Sequence, residues 1–442
     1  MNEIKTGIFT IENNIDIYVV GDIHGDYQCL VHCLVDLCKT CSITKLYNDT
    51  EFNTETREYL EWNTDNNSVV IFCGDLIDRK RFGDHVLDDE SSDIYILLTL
   101  LRLKKQAIEN NGNLIIISGN HEIMNITNID TNIYISEKNS KFNKKFFSDK
   151  DFVDNYINNS YAWIKINDIL ITHGGLCSEY LKSIKHIDFD KKHGCDCKNT
   201  KLDNHGNCII NFINNSYRKF FTSKTEIISD EDKKLYFNLF IKYSMTDNNT
   251  HNMFWCRQWG YGEIDCNNYN KVLDALKCNK MIISHCPQFL SPDKPKMINF
   301  ECFDENDNII KYKLARIDLG MSRSFDYNKS DKFNFYLKYN FNRKMSILKL
   351  LNDNNELYFN CDSIITHKLS CLQYLLLKYG LTKSKWLSKK INTNWLGFDL
   401  IKKITIDKNI KLSESKPILC LLYPIILNKD LSITSINQFN NL

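Results

Sequence analysis

The chain has no apolar run of the roughly 20 residues that a bilayer span takes. The best candidate, Pro417–Leu427, is about half that length and is interrupted by Pro424, so it reads as a buried core segment. The first residues lack a charged-then-apolar leader pattern. There is no large excess of either charge, because the formal net charge is +1; electrostatics alone therefore argue neither for nor against nucleic acid. No internal repeat stands out. An even-numbered cysteine framework is missing as well. The 17 cysteines are odd in number, and several (Cys29, Cys33, Cys73) sit inside apolar runs. They read as reduced thiols of a cytoplasmic protein. His193, Cys195, Cys197, His205 and Cys208 fall in one stretch, but their spacing matches no standard zinc finger, and they read as ordinary loop residues.

What is present is the composition of a globular protein, with 43% hydrophobic and 12% aromatic residues. A chain of 442 residues exceeds one ordinary core, so a catalytic domain with an addition is expected. The charge is unevenly spread. From Asp331 to the end, 17 Lys and Arg face 8 Asp and Glu, an excess of nine positive charges that leaves the preceding residues eight negative. The reading is a catalytic domain over residues 1–327, with insertions near 42–67 and 177–250. A basic region, 328–442, follows; its purpose is unassigned, and docking a partner is one use for it.

Five short motifs carry the chemistry. They are Gly21-Asp22-Ile23-His24-Gly25, Gly74-Asp75-Leu76-Ile77-Asp78-Arg79, Gly119-Asn120-His121-Glu122, His173-Gly174-Gly175 and Ser284-His285-Cys286-Pro287-Gln288. Each follows a strand-forming run: Ile15–Val20, Val69–Cys73, Leu114–Ser118, Ile169–Thr172 and Met281–Ile283. Helical periodicity lies between the first three, with Leu30, Leu34, Leu37 and Cys41 on one face and Ile94, Leu97, Leu98, Leu101 and Ala107 on another. This is the βαβ rhythm of a layered α/β fold. Such folds place functional groups in loops at the carboxyl ends of strands. Five loops delivering Asp, Asn and His can converge on one place.

That residue set suits two divalent metal ions, because hard oxygens and imidazoles favour manganese, iron or zinc. Two ions about 3.5–4 Å apart can share a water and stabilise both the attacking and the leaving oxygen of a phosphoester. Asp22 and His24 can face one ion, Asp75 can bridge both, and Asn120, His173 and His285 can complete the second. Arg79 offers a planar fork to phosphate oxygens. His121 can protonate a leaving oxygen as general acid, with Asp78 orienting it. Arg257, in Trp255-Cys256-Arg257, could be a second fork, although spacing alone does not bring it there.

These motifs resemble the calcineurin-like metallophosphoesterase superfamily, and within it the phosphoprotein phosphatases. Gly119 to Asn125, Ser284 to Gln288, Trp255 to Arg257 and Ile317-Asp318-Leu319-Gly320-Met321-Ser322 look most like the Shewanella-like protein phosphatases. The resemblance spans roughly residues 15 to 325. Lys80, Ser284, Cys286 and Ser118 depart from the usual pattern, and none of them removes a candidate ligand. The resemblance implies a four-layer αββα sandwich with a C-terminal extension. It also implies a metal-bridging hydroxide attacking phosphorus in line, without a phospho-enzyme. Asp22, His24, Asp75, Asn120, His173 and His285 would bind metal, Arg79 and Arg257 phosphate, and Asp78 with His121 would supply the acid. A phosphoprotein is the expected substrate. The alternatives are a small-molecule phosphatase acting, for instance, on dinucleoside polyphosphates, and an inactive module that binds a phosphorylated partner.

Overall fold

The computed structural model describes residues 6–11, 15–48, 56–79, 92–128, 137–178, 180–181, 205–222, 229–241, 252–260, 264, 266–288, 300–303, 309–322, 342–353, 356–360 and 364–368. Its strands are β1 (Ile8–Phe9), β2 (Ile17–Val20), β3 (Cys41–Asn48), β4 (Thr56–Trp62), β5 (Val69–Phe72), β6 (Asn113–Ile117) and β7 (Ser160–Tyr161), then β8 (Trp163–Ile166), β9 (Ile169–Thr172), β10 (Lys280–Ile283), β11 (Phe300–Phe303) and β12 (Ile309–Arg316). Four further strands follow among the described residues, Asn342–Ser346, Leu348–Asp353, Glu356–Asn360 and Ile364–Lys368.

One sheet runs β2, β5, β6, β7 in parallel, with Leu348–Asp353 antiparallel on the outer side of β2 and Glu356–Asn360 at the edge. The second runs β1, β8, β9, β10, β12, β11, and its β9, β10 and β12 are parallel. Successive strand side chains point to opposite faces, and here they enter two different cores. Ile17, Val19, Val69, Ile71, Ile115, Ile117, Ile164, Ile171 and Ile282 share one core between the sheets. Their neighbours form the other cluster, in which Tyr18, Val20, Val70, Phe72, Leu114 and Ile116 of the first sheet join Leu30, Leu34, Leu97 and Leu101 of helices, and Leu170 and Met281 of the second sheet join helical Ile209, Ile213, Val272 and Leu273. Each sheet is therefore covered on both faces, which makes four layers. Burying each such side chain is worth about 1.5–3 kcal/mol. Two helices lie where the periodicity predicts them, Tyr27–Val31, running on into a π-helical turn to Leu37, and Asp93–Glu109; Cys41, read on the face of the first, opens β3 instead.

Three regions differ from the sequence reading or extend it. Residues 42–67, read as an insertion, contain most of the antiparallel hairpin β3–β4. Among its described side chains, Cys41, Leu60 and Trp62 reach the core, while Ser42, Ile43 and Thr44 are exposed. The hairpin is held by Arg102, whose Nη1 donates to the Leu60 carbonyl at 2.8 Å and whose guanidinium lies 3.9 Å from the centre of the Tyr59 ring. Within 177–250 lies a helix, His205–Phe221, whose Ile209, Ile210, Ile213 and Tyr217 are buried. Asn214 fastens it to β8, accepting from Ala162 N at 2.9 Å and donating to Trp163 O at 2.8 Å. Cys208 on this helix is disulfide-bonded, which departs from a uniformly reduced set; the thiols of Cys29, Cys33 and Cys73 are free. The stretch holding His193, Cys195 and Cys197 lies outside the described residues, as do 369–442, including Pro417–Leu427.

The third region concerns the expected boundary at 327/328, which does not coincide with the edge of the first sheet. Leu348 and Leu350 pair with Val19 and Ile17 and are buried in the core between the sheets. The interval before them gives no sequence signal of a returning strand. Within the described residues no helix is long and apolar enough to cross a membrane. Leu348→Ala is expected to lower the unfolding free energy by about 2–5 kcal/mol, measured by urea denaturation. A chain ending at residue 327 is expected to be insoluble; a soluble product with a cooperative unfolding transition would show that the strand is dispensable.

Candidate metal centre

The five motif loops leave the carboxyl ends of β2, β5, β6, β9 and β10 and meet around one carboxylate, Asp75. His173 Nε2 lies 3.3 Å from Asp75 Oδ1, while His24 Nε2 and His121 Nε2 each lie 3.8 Å from Oδ2. Two clusters of ligand atoms share this residue, each within 4.8 Å throughout: His24, Asp75 and His121, and Asp75, His173 and His285. Asn120 Oδ1 is 3.0 Å from His173 Nε2, and Asp22 Oδ2 is 3.6 Å from His24 Nε2. All six expected ligands are at most 5% exposed. The first cluster takes in His121, expected as the acid, alongside expected ligands.

The backbone is bent to achieve this. His24, Asp75, Asp78 and His285 have φ of +38°, +51°, +67° and +65°, in the left-handed region that L-residues other than Asn and Asp seldom adopt. Such conformations cost about 1–3 kcal/mol each and persist where the surroundings enforce them. Glycine permits the closest approach: a side chain at Gly119 would run into Asp75 N and Oδ1.

Backbone carbonyls select the histidine tautomers. His173 Nδ1 donates to Cys73 O at 2.7 Å and His24 Nδ1 to Ile77 O at 3.2 Å, so each Nε2 lone pair faces the cluster. His285 Nε2 is buried and hydrogen-bonded to nothing among the described residues. A lone pair held out of water without a partner is costly. Burial, followed by the charges of Arg257 and His173, holds this imidazole well below its usual pKa, so it stays neutral, as a ligand must. Burial favours the neutral form of Asp75, but His173, His121 and His24 outweigh it and hold the carboxyl well below the usual range. Burial pulls His173 down while Asp75 raises it, and the net direction is up. Carboxylates, an amide oxygen and outward-facing imidazole lone pairs form a donor set that fits divalent metal ions.

Asp78 Oδ2 accepts from His121 Nδ1 at 2.6 Å, leaving His121 Nε2 directed at the cluster. Arg79 is buried, its Nη1 3.5 Å from Asp26 Oδ2 and 3.4 Å from Gly25 O. Arg257 is exposed. Its charge reaches His285, and two residues before it the Trp255 ring is centred 5.8 Å from the His285 ring.

Three supporting residues were not singled out for such roles from sequence. Glu122 accepts from Gly119 N at 2.7 Å, Asp75 N at 3.0 Å and Leu76 N at 2.8 Å, joining the second and third motifs. Burial, then the Asp75 charge, pushes its carboxyl up to about 7. A Glu at the third position of a helix that starts after a cap is the available signal. Asn125 donates to both Asp78 oxygens, at 3.0 and 3.1 Å, and to His121 O at 2.9 Å; its i,i+4 spacing from His121 was legible. Ser284 Oγ donates to Asp22 Oδ1, a contact between the first and last motifs that nothing local announces.

Residues 15–221, just under half of the chain, match the sequence profile of the calcineurin-like phosphoesterase family. Shewanella-like protein phosphatase 1 of Plasmodium berghei (strain Anka) is 28% identical over 178 residues, which are 38% of this chain and 40% of that protein. The chain thus spans less than half the length of that relative. Among solved structures, the cold-active protein-tyrosine phosphatase of a psychrophilic Shewanella species superposes with a TM-score of 0.46 at 16% identity, over 82% of each chain. A further structure of a cold-active protein tyrosine phosphatase gives 0.45 at 16% identity, over 81% of this chain and 80% of that one. Residues 15–221 are thus similar to the calcineurin-like phosphoesterase family.

Proposed function

We propose that the protein is a metal-dependent phosphatase that hydrolyses phosphomonoesters of proteins by direct in-line attack of water, without a phospho-enzyme. The observation that carries this reading is the pair of ligand clusters sharing the buried Asp75. Asp22, His24 and Asp75 would hold one ion; Asp75, Asn120, His173 and His285 the other. Two bound divalent ions, as manganese, iron or zinc, would lower the pKa of water and offset charge on the phosphoryl oxygens. The protein's own groups account for the rest. Asp78 holds the Nδ1 proton of His121, which presents Nε2 to the leaving oxygen and can donate a proton there. Arg79 and Arg257 would hold the phosphate oxygens. Choosing phosphoprotein over a small phosphate draws support from the Plasmodium relative named as a protein phosphatase.

The test is phosphate release by metal-stripped protein, with and without manganese, from a phosphotyrosine peptide, a phosphoserine/threonine peptide and a dinucleoside tetraphosphate. Manganese-dependent release from one peptide class is expected. Release only from the nucleotide would move the protein to a small-molecule phosphatase. Phosphopeptide binding without release, metal supplied, would make it a binding module.

His121→Asn is expected to lower kcat by about 10²–10⁴-fold, the usual worth of a general acid, with metal content retained. Loss of metal as well would recast His121 as a ligand, a role its place in the first cluster allows. Ser284→Ala frees Asp22 from its hydroxyl donor. Metal affinity, read by titration, is expected to fall about 10–100-fold; an unchanged affinity would show that Asp22 is held by its other contacts.

A further inference from the structure

The exposed Arg257 rides on a segment that three other parts of the protein hold, two of them by its backbone. Arg316, at the end of β12 and 4% exposed, donates from Nε to Trp259 O at 2.7 Å. The buried Trp259 indole donates in turn to Leu176 O at 2.7 Å, just past the His173-Gly174-Gly175 motif. Gln288 of the last motif, also buried, donates to Gly260 O at 3.0 Å and Cys286 O at 2.7 Å, while its own N–H donates to Asp318 O at 2.8 Å. Gly260 N closes the turn onto Arg257 O at 3.0 Å. A side chain at Gly260 would run into Cys286 Sγ, so the turn lies flat against the last motif.

A guanidinium under this much cover carries a large desolvation cost. Burial indeed pulls its pKa down. A hydrophobic residue could fill the volume without that cost, but it could not donate to the Trp259 carbonyl. The segment that this bond holds carries Arg257 two residues after Trp255, whose ring is centred 5.8 Å from the His285 ring. We infer that Arg316 is a positioning residue, which presents Arg257 to the phosphate by anchoring the Trp259–Gly260 turn. The inference rests on the reading that Arg257 binds phosphate. Arg316 itself does not touch the substrate. A fixed backbone under a long side chain reduces the freedom Arg257 must lose when phosphate arrives.

The test is a double-mutant cycle on the full-length, manganese-loaded protein, with Arg316→Lys, Arg257→Ala and the pair. The readouts are the Kd for inorganic phosphate by calorimetry, and KM and kcat on an aryl phosphate. Lysine keeps the charge but lacks the fixed planar donor. Arg316→Lys is expected to weaken phosphate binding and raise KM by about tenfold, and to add less than about twofold once Arg257 is gone, since two residues acting through one contact are not additive. Equal effects in both backgrounds, or no effect on Kd and KM, would overturn the inference. Should Arg316→Lys not fold, Trp259→Phe breaks the turn's hold on Leu176 and must show the same dependence on Arg257. A wild-type protein that turns over substrate but gives an additive cycle removes only the role of Arg316. A wild-type protein that neither binds phosphate nor turns over removes the phosphatase reading, and this inference with it.

Discussion

Asp75 stands at the end of β5 with the Nε2 atoms of three imidazoles within 4 Å, those of His24, His121 and His173. The carboxylate is 1% exposed, so without those partners its charge would be untenable in the interior. The dependence runs in both directions. His173 and His24 are aimed by the backbone carbonyls of Cys73 and Ile77 and His121 by the Asp78 carboxylate, all on the same strand-loop unit, and the Asp75 backbone itself is held in the left-handed region by Glu122. Displacing the carboxylate would unbalance the ionisation of every group around it.

The fold makes this tolerable by being stiff beneath the site. Strands whose alternate residues enter two separate cores cannot slip by one position without turning both faces inside out. Ile17 and Val19 face the other sheet while Tyr18 and Val20 face the helices, which fixes the register of β2 and hence the place of Asp22 and His24. Strain at four left-handed site residues is thereby supported by dozens of buried side chains. The insertion contributes too. Tyr217 of helix His205–Phe221 reaches Ser118, the residue before the third motif, at 2.6 Å, and Ser160 at 2.9 Å.

Much of this was legible in the sequence, for a physical reason. A motif of Gly, Asp and His directly after an apolar run marks a strand end, and parallel strands put their ends on one side. The layered α/β class, the order of the strands that carry the motifs and the meeting of their loops follow from that local pattern. Long-range pairings were not legible. Leu348–Asp353 joins β2 across more than three hundred residues, and no spacing rule predicts that partner. The pairing of β3 with β4 within the insertion was not legible either. Glu122 and Arg316 act through backbone groups of distant loops and Ser284 through the Asp22 carboxylate, and such contacts leave no periodic trace. Cys208, whose disulfide breaks the reduced-thiol reading, shows that cysteine parity is a weak guide for a single residue.

The claim on which the account stands is that Asp75 is shared by two metal sites. Anomalous diffraction from crystals of the manganese-loaded protein tests it most directly. The account predicts two anomalous peaks about 3.5–4 Å apart, with Asp75 between them, His24 on one side and His173 with His285 on the other. A single peak, or two that do not share Asp75, would contradict it.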